Sequence, residues 1–512
     1  MTSSTFDETG HPRRWSILAV LCLSLLVLVV DNTVLNLAIP SLMRDLSATI
    51  ADVQWMIDAY ILVFAGLLLT AGSLSDRYGR RRALIIGLVL FGVASLLATM
   101  AQNPWQLIAA RAFMGAGGSL LMPSTLSILF TVFPPAEQRK AMAAWSTVAM
   151  VGVIAGPTVG GFLLDHFWWG SVFLLNVPIA VVAIVAAFVL MPESRGPARR
   201  PDPLGAVLTV VGMTAIVWAI ISIPARGWSS AEVIGTLAGG ALVLAAFAVW
   251  ERRIDHPMVP LAIFRDRNFS GASFSIVLLS FTAGGLLLAL TQYLQFVLGY
   301  SPLKAGLALL PYAVAAALFN SLGATLGKRL ADRTLIVAGL LIIAAGFAIL
   351  TTVTATSGYG PLIAGFLVMG IGGGLAGPAA YTSLMGAVPP EHRGVGSAMN
   401  DTVQQTGAAF SVAVLGSVLA AAYSAALPNS VPDSARASIA DTLALGPSFA
   451  PAAREAFAQA MTIAMVVGVA GAVAGSVVAF LVLPRRRRDQ MATEPGAAPA
   501  RAAESAPSPD LA

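Results

Sequence analysis

Charged side chains are scarce in this chain. Asp, Glu, Lys and Arg make up 11% of its 512 residues, while hydrophobic residues make up 57%. A soluble domain carries about 25% charged residues, most of them on its water-exposed surface. The composition therefore excludes an ordinary soluble protein and indicates a chain that crosses a membrane many times.

Residues that bind metals or act as nucleophiles are also rare. Cys22 is the only cysteine, which excludes an internal disulfide framework and a thiolate metal site. The four histidines lie far apart, in the N-terminal tail or in loops between apolar segments. The pattern G-x-x-x-x-G-K-[ST] of ATP-driven pumps does not occur. We therefore expect no metal site, no catalytic residues and no enzyme.

Long apolar runs dominate the sequence instead. A membrane-spanning helix needs about 20 apolar residues. The first run, 15–38, is too long for the core of a signal peptide, which has about 7–15 apolar residues, and we interpret it as a retained helix. The predicted spanning helices are fourteen: 15–38, 54–74, 83–101, 105–126, 141–163, 171–191, 204–224, 231–250, 269–291, 305–326, 334–354, 361–384, 395–424 and 459–483.

Basic residues are concentrated in alternate connecting loops. Such loops face the cytoplasm in most membrane proteins, and an even number of helices then places both termini there. These loops account for the net charge of +5, so we expect no nucleic-acid partner. The excess of Arg over Lys favours a bacterial source, and we predict a multi-pass protein of the bacterial plasma membrane.

A repeat divides the chain into two related halves. Residues 107–135 and 362–390 share their glycine run and their prolines at an offset of 255 positions. Arg111 of the first copy meets Phe366 in the second, so only the first half keeps a charge in this helix. Repeated membrane halves are typical of transporters, whose site lies between the halves.

The repeat predicts two six-helix bundles that flank an inserted helix pair, in an all-α membrane protein. The predicted segments are a cytoplasmic N-terminus 1–14, a first bundle 15–191, an inserted pair with its linkers 192–268, a second bundle 269–484 and a disordered cytoplasmic tail 485–512.

The loop between the second and third helices reads GSLSDRYGRRRAL. We expect Gly72 to allow a close helix contact, Asp76 to face a helix N-terminus and Gly79 to form a tight turn. A basic loop that only sets topology is the alternative. The loop resembles the signature G-x-L-x-D-R-x-G-R-R of the major facilitator superfamily. The arginines that we expect to pair with Asp76 are Arg77, Arg80 and Arg81.

The fifth helix contains the glycine-rich run GVIAGPTVGG. Gly152, Gly156 and Gly160 recur every four residues, so one helix face is bare backbone that another helix can approach closely. Pro157 favours a kink. A role in packing alone is one interpretation. The run, including Gly161, also resembles the motif of proton-coupled antiporters in the same superfamily, and that resemblance implies antiport.

The first helix contains VVDNTVLNLAIP at 29–40. This run resembles the signature of the fourteen-span drug:proton antiporters, the EmrB/QacA-type branch. Phe173 and Asn176 resemble the start of that branch's sixth helix, although Trp169 departs from the usual Arg. The resemblance implies the major facilitator fold, the proton gradient in place of any cofactor, and lipophilic or cationic small molecules as substrates in a lipid bilayer. It does not say whether the protein has a protein partner.

Charged residues inside predicted spanning helices are functional candidates. Asp31 lies about 10 Å and Arg111 about 9 Å from the outer ends of their helices, so the two side chains can pair. We hypothesise that Asp31 exchanges the coupling proton and that Arg111 tunes it. A static ion pair that holds the first and fourth helices together is the alternative.

Asp58 and Asp401 are candidates for a substrate contact or a second proton site. Asp58 lies about 5 Å from the end of the second helix, where a plain interfacial charge is equally expected. For Asp401, the alternative is a polar bond with Asn400, Gln404 or Gln405. Nine large side chains are candidates for lining a drug pocket: Trp55, Tyr60, Phe113, Met114, Trp145, Met150, Tyr293, Tyr312 and Met399.

We therefore expect proton-coupled export of lipophilic or cationic drugs by alternating access. Two alternatives remain open. One is a dedicated exporter of a single metabolite that the cell itself makes. The other is a membrane sensor that uses the same fold without transport.

Overall fold

The structure is a computed structural model, which describes residues 10–196, 201–255, 257, 259, 261–327, 329–388 and 393–483. In these ranges fourteen helical segments are long and apolar enough to span a membrane, which confirms the predicted all-α class. The helices are α1 Arg14–Asp45, α2 Ile50–Tyr78, α3 Arg80–Thr99, α4 Pro104–Val132, α5 Pro135–His166, α6 Ser171–Leu174, α7 Asn176–Leu190, α8 Pro203–Arg226, α9 Ala231–Arg253, α10 Arg267–Gln292, α11 Pro302–Leu326, α12 Asp332–Leu350, α13 Tyr359–Gly386, α14 Arg393–Ala426, α15 Ile439–Ala444 and α16 Ala450–Val482.

Most helices are longer than their predicted apolar runs, because they continue into polar turns at their ends. A capping box starts α2, where Thr49 and Asp52 each bond to the other's backbone N–H. The predicted helix 171–191 is broken into α6 and α7. Pro178 has no N–H to donate to the carbonyl of residue 174, so the helical hydrogen-bond pattern is interrupted between the two helices.

The two bundles repeat the same helix pairs. In the first bundle α2 packs on α4, α3 on α4, α1 on α5 and α3 on α7. In the second, α11 packs on α13, α12 on α13, α10 on α14 and α12 on α16. The predicted architecture of two six-helix bundles is therefore confirmed, while the residue bounds of the five predicted segments stay a prediction. The predicted tail 485–512 and residues 1–9 lie outside the described residues.

Glycines set the closest of these repeated contacts. A Cβ on Gly117 of α4 would lie 2.9 Å from the carbonyl oxygen of Gly87 on α3. Its counterpart Gly372 of α13 stands in the same relation, at 2.5 Å, to Gly339 on α12. Because lipid provides little hydrophobic drive for helices to associate, close backbone packing holds such pairs together.

The inserted pair lies against the seam between the two bundles. Its first helix, α8, contacts both α2 and α14, and α9 packs mainly on α8. Thr70 of α2 donates a hydrogen bond to the carbonyl of Asp202 at 3.2 Å, and Trp250 of α9 donates to the Asp202 carboxylate at 3.0 Å. These bonds fix the start of α8 to α2 and the end of α9 to α8.

The two ends of the helical bundle differ in their contacts. We call the end that carries Arg14 and the α2–α3 turn the basic end, and the other the opposite end. Arg14 pairs with Glu137 of α5 at 2.7 Å, and the amide of Arg80 donates to the carbonyl of Ser194 at 2.9 Å. These bonds place the N-terminal segment, the α4–α5 turn and the segment after α7 together at the basic end.

Adjacent glycines of α13 give a matched pair of substitutions. A Cβ on Gly374 would lie 2.6 Å from the carbonyl oxygen of Ala316 on α11, whereas one on Gly373 would have no atom within 4 Å. We expect Gly374→Ala to destabilise the protein by about 1–3 kcal/mol through overpacking and Gly373→Ala to be neutral. Thermal unfolding of both variants in detergent checks this, and equal midpoints would contradict it.

Candidate functional site

A buried ion pair joins three helices of the first bundle. Arg111 Nη1 of α4 donates to Asp31 Oδ2 of α1 at 2.5 Å, and both side chains are 1% exposed. Arg111 Nε donates to the carbonyl oxygen of Met56 on α2 at 3.1 Å. The structure thus brings together the two charges that the sequence placed at equal depth. Their role in proton coupling stays a prediction.

The second carboxylate oxygen of Asp31 also has a donor. Asn176 Nδ2, at the start of α7, donates to Asp31 Oδ1 at 2.9 Å and contacts Ser95 Oγ of α3 at 3.3 Å. The break between α6 and α7 places Asn176 there. The sequence had marked Asn176 only by family resemblance and had not indicated its contact with Asp31.

Tyr60 belongs to this buried site and not to a drug pocket. Its side chain is fully buried, and the guanidinium carbon of Arg111 lies 4.3 Å from the centre of its ring. Asn32 Nδ2 donates to the Tyr60 hydroxyl at 3.2 Å. A cation over an aromatic face is stabilised, most strongly when water is excluded, so Tyr60 helps to hold Arg111.

The glycine run of α5 packs on the helix that carries Asp31. A Cβ on Gly152 would lie 2.9 Å from Val29 of α1, and one on Gly160 would lie 2.5 Å from Val34. A Cβ on Gly156 would overlap Thr33. The close approach predicted for this face is therefore present.

The end of the same run contacts the second bundle. A Cβ on Gly161 would lie 2.5 Å from the Cα of Leu303 on α11, and Gly306 packs against the carbonyl of Pro157. The run therefore touches both α1 and α11. A packing role for these residues is evident, and their role as an antiporter motif stays a prediction.

The two bundles are bonded to each other at the opposite end. Gln54 Nε2 of α2 donates to the carbonyls of Val412 and Ala413 on α14, each at 2.9 Å. Gln295 Nε2 donates to the carbonyl of Leu37 on α1 at 2.9 Å. The sequence analysis missed Gln54, although a polar residue within an apolar run is a usable signal.

Asp58 lies inside this closed contact. It is fully buried, and it sits four residues after Gln54, on the face of α2 that meets α14. Neither carboxyl oxygen has a hydrogen-bond partner among the described residues. The alternative of an interfacial charge is wrong, because α2 extends beyond its apolar run and the neighbouring helices cover this position.

A cavity of about 660 Å³ lies between the bundles in their basic-end half. On one side α1 and α5 form its wall, and on the other α10, α11, α12, α13 and α14 do so. No charged side chain lines it among the described residues. Its larger polar side chains are Tyr312, Asn320, Tyr381, Asn400 and Gln404.

Most of the side chains predicted to line a drug pocket face elsewhere. Of the nine candidates, only Met150 and Tyr312 line this cavity. Phe113 is 57% exposed on the outside of the bundle, whereas Met114 is fully buried in the core. The sequence did not show how each helix is rotated about its axis, so it could not separate these faces.

Asp401 lies beside the cavity wall. Asn400 Nδ2 donates to Asp401 Oδ1 at 3.1 Å, and Asn400 itself lines the cavity. The polar bond with Asn400 that the sequence analysis offered as an alternative is therefore present. A substrate or second-proton role for Asp401 stays a prediction.

The α2–α3 turn forms only part of the predicted charge cluster. Arg80 Nε pairs with Asp76 Oδ1 at 2.8 Å, and Gly79 has a φ of 122°, as a tight turn requires. Arg77 lies over the ring of its neighbour Tyr78. The expectation of a tight contact at Gly72 is wrong, because a Cβ there would meet Pro123 at an ordinary 3.6 Å.

Glu193 holds the remaining arginines of this turn. Glu193 Oε2 lies 3.9 Å from Arg81 Nε and 3.6 Å from Arg82 Nε. Arg81 therefore pairs with Glu193, and its expected pairing with Asp76 is wrong. Asp76 instead lies against Gly196 and Arg80, the first residue of α3. The sequence analysis missed Glu193, which follows α7 and returns to the turn only in the folded chain.

Known proteins resemble this chain over most of its length. A model of the Major Facilitator Superfamily matches residues 21–412 and 272–508. The multidrug efflux pump LfrA of Mycolicibacterium smegmatis is 38% identical, covering 81% of this chain and 82% of the relative. The tetracenomycin C resistance and export protein of Streptomyces glaucescens is 32% identical, covering 81% and 80%. The puromycin resistance protein of Streptomyces alboniger is 37% identical, covering 80% and 82%.

Solved structures share the fold at low sequence identity. A bacterial homologue of the human lysosomal transporter Spinster has a TM-score of 0.67 at 19% identity, covering 92% of this chain and 97% of that one. A D-xylose–proton symporter has a TM-score of 0.61 at 15% identity, covering 92% and 98%. At such identities the likeness concerns the arrangement of helices alone.

The ion pair predicts a specific pattern of stability changes. Arg111→Met leaves the Asp31 carboxylate buried without its cation, which we expect to cost about 3–5 kcal/mol. The double variant Asp31→Asn with Arg111→Met removes both charges and should recover part of this loss. Thermal unfolding in detergent compares the wild type, each single variant and the double variant. Arg252→Met, at the exposed end of α9, is the control. A single variant as stable as this control would contradict the prediction.

Proposed function

The chain belongs to the major facilitator superfamily, and we propose that it exports lipophilic or cationic drugs in exchange for protons. The export is secondary transport by alternating access across a bacterial plasma membrane. The observation that carries the proposal is the Asp31 carboxylate, held by Arg111 and Asn176 inside the first bundle. The names of the relatives that export antibiotics support the same class of substrate.

The ion pair provides a device for proton coupling. A proton that arrives on Asp31 removes the negative charge that holds Arg111, whereas Arg111 keeps its bond to the Met56 carbonyl and its contact with Tyr60. The guanidinium therefore stays on α2 and α4, while α1 is released from it. One charge that crosses a potential of 100 mV gains about 2.3 kcal/mol, which is enough to bias such a cycle.

A continuous series of contacts connects Asp31 to the second bundle. The glycine face of α5 packs on α1, and the end of its run packs on α11 at Leu303 and Gly306. A shift of α1 against α4 therefore acts on α5, and through it on the seam between the bundles. The glycines of α5 meet side chains of α1 and the backbone of α11 at close range, and such closely packed contacts transmit a displacement.

The cavity has the size and chemistry of a drug site. Its volume of about 660 Å³ lies within the range of about 300–1,000 Å³ that is usual for small-molecule pockets. Its wall is mainly apolar, with the phenols of Tyr312 and Tyr381 at its edge. Aromatic faces stabilise organic cations as well as neutral rings.

The basic end corresponds to the cytoplasm under this proposal. The contacts of Gln54 and Gln295 close the opposite end, and the cavity lies in the basic-end half. The conformation is therefore the one that loads substrate from the cytoplasm. Asp58 lies inside the closed contact, where a change in its charge on protonation would affect how the bundles separate at the opposite end. We therefore assign Asp58 as a second proton site.

A narrower substrate range is the second candidate function. Several relatives are named for one compound, such as the cephamycin export protein of Amycolatopsis lactamdurans, which is 35% identical and covers 80% of this chain. A dedicated exporter of one metabolite would use the same ion pair and the same cavity. A panel of substrates distinguishes the two, because a dedicated exporter transports one chemical series alone.

Proton coupling is tested by Asp31→Asn, which keeps the size of the side chain and removes its titration. We expect purified Asp31→Asn to be less stable than the wild type, because the buried Arg111 loses its anion. It should still fold at the assay temperature, since Arg111 keeps its bond to the Met56 carbonyl and its contact with Tyr60. Ethidium transport driven by a pH gradient should fall at least tenfold. Asp433→Asn, in an exposed loop, is the control and should transport normally. A folded Asp31→Asn protein with unchanged proton-driven transport would refute the coupling role.

The orientation is tested by cysteine labelling. In a Cys22→Ser background, Tyr78→Cys places a thiol at the basic end and Trp228→Cys places one at the opposite end, where both native side chains are more than half exposed. A membrane-impermeant maleimide should label Trp228→Cys in intact cells and Tyr78→Cys only after lysis. The reverse pattern would place the basic end outside the cell.

A further inference from the structure

Gln404 carries an amide in the cavity that none of the described residues holds in place. It lies one helical turn beyond Asn400 on α14, and both residues line the cavity. The Gln404 side chain is exposed, and neither its oxygen nor its nitrogen has a hydrogen-bond partner among the described residues. Because this exposed side chain belongs to the cavity wall, its amide is accessible to a molecule bound there.

Asn400 differs from Gln404 because its amide is fixed. Asn400 is 4% exposed, and its Nδ2 donates to Asp401 Oδ1 at 3.1 Å. An amide has acceptor lone pairs on its oxygen and donor hydrogens on its nitrogen, so that bond determines the direction of each end. The terminal torsion of a Gln side chain is broad and roughly twofold. Gln404, which has no such bond, can therefore present either its oxygen or its nitrogen to the cavity.

The depth of Gln404 in the membrane suits a substrate contact. The residue lies about 12 Å inside the apolar span Gly396–Ala426, and the hydrocarbon core of a bilayer is about 30 Å thick. Transporters bind their substrates near the middle of this core. On α10, which packs beside α14, Ile276 and Leu279 line the cavity. A polar group of a substrate therefore meets a mainly apolar wall, in which the Gln404 amide belongs to the minority of groups that form hydrogen bonds.

We propose that Gln404 is a specificity-determining residue that recognises hydrogen-bond donors and acceptors alike. Towards an amino or hydroxyl group of the substrate it presents Oε1, and towards a carbonyl or ether oxygen it presents Nε2. The substrate class is then lipophilic compounds that carry at least one uncharged polar group of either kind. Such breadth favours multidrug export over export of a single compound. This inference rests on the proposed export function and names the substrate class within it.

The test compares three permanent cations that share one ring system. Ethidium, the donor probe, carries aromatic amino groups that donate hydrogen bonds. The acceptor probe has methoxy groups in place of these amino groups, and the plain probe has hydrogen atoms there. Binding to the purified full-length protein in nanodiscs gives a dissociation constant for each, and empty nanodiscs correct for partition into lipid. Because every probe carries one fixed positive charge, the ratios of the constants do not depend on changes in the charge of the site.

Gln404→Met keeps the length of the side chain and removes its hydrogen bonds. We expect the wild type to bind the donor probe and the acceptor probe each about fivefold more tightly than the plain probe, as for one uncharged hydrogen bond. In Gln404→Met both preferences should disappear, while binding of the plain probe changes little. Gln404→Leu is a second variant with the same expected result.

Gln405→Met is the matched control. It makes the same chemical change at the next residue of α14, which does not line the cavity, so both preferences should remain. Asn320, on α11, is a second exposed amide in the cavity wall. Asn320→Leu should also leave both preferences in place, even where it changes the binding of all three probes by a common factor.

The outcomes separate this inference from the function on which it rests. Preferences that persist in Gln404→Met, or the loss of only one of them, overturn recognition by either end of the Gln404 amide. A wild type without preferences, or their loss in Asn320→Leu or Gln405→Met, overturns it too. Each of these results leaves drug export intact. Wild-type protein that binds none of the three cations contradicts the export of such drugs, and this inference with it.

Discussion

The rest of the structure depends on one buried interaction, the ion pair of Asp31 and Arg111. Charges inside a bilayer are costly unless they are paired and hydrogen-bonded. Here the Asp31 oxygens receive bonds from Arg111 and Asn176, and Arg111 also bonds to the Met56 carbonyl. The cost of moving any one partner away holds α1, α2, α4 and α7 in register. Protonation of Asp31 would remove this interaction, which is the basis of the coupling that we propose.

Glycines form the closest contacts between the helices. Between membrane helices the hydrophobic effect contributes little, so contact area and close backbone approach decide which helices stay together. Gly117 with Gly87, and Gly372 with Gly339, bind the matching helix pairs of the two halves. The face of α5 that includes Gly156 packs on α1. Such contacts are tight and have few alternative arrangements, so we expect each bundle to be rigid.

The two halves differ in their buried charges and in their share of the cavity wall. The first keeps Arg111 and the carboxylate that it holds, whereas the second has Phe366 at the matching position. The second half provides most of the cavity wall, while α1 and α5 of the first half complete it. The buried ion pair therefore lies in one bundle and the cavity between the two, so the coupling that we propose has to cross the seam.

The sequence by itself determined the membrane class, the fourteen helices, the duplication and the short set of buried charges, because each follows from apolar length or from the cost of a charge in lipid. Only the tertiary structure decided which way each helix face points. The core and the lipid are both apolar, so a membrane helix lacks the polar stripe that orients a soluble one. Phe113 and Met114 are therefore alike in sequence, yet one faces outward and the other is buried. For the same reason the partners Asn176 and Glu193, and the burial of Asp58, became evident only from the folded chain.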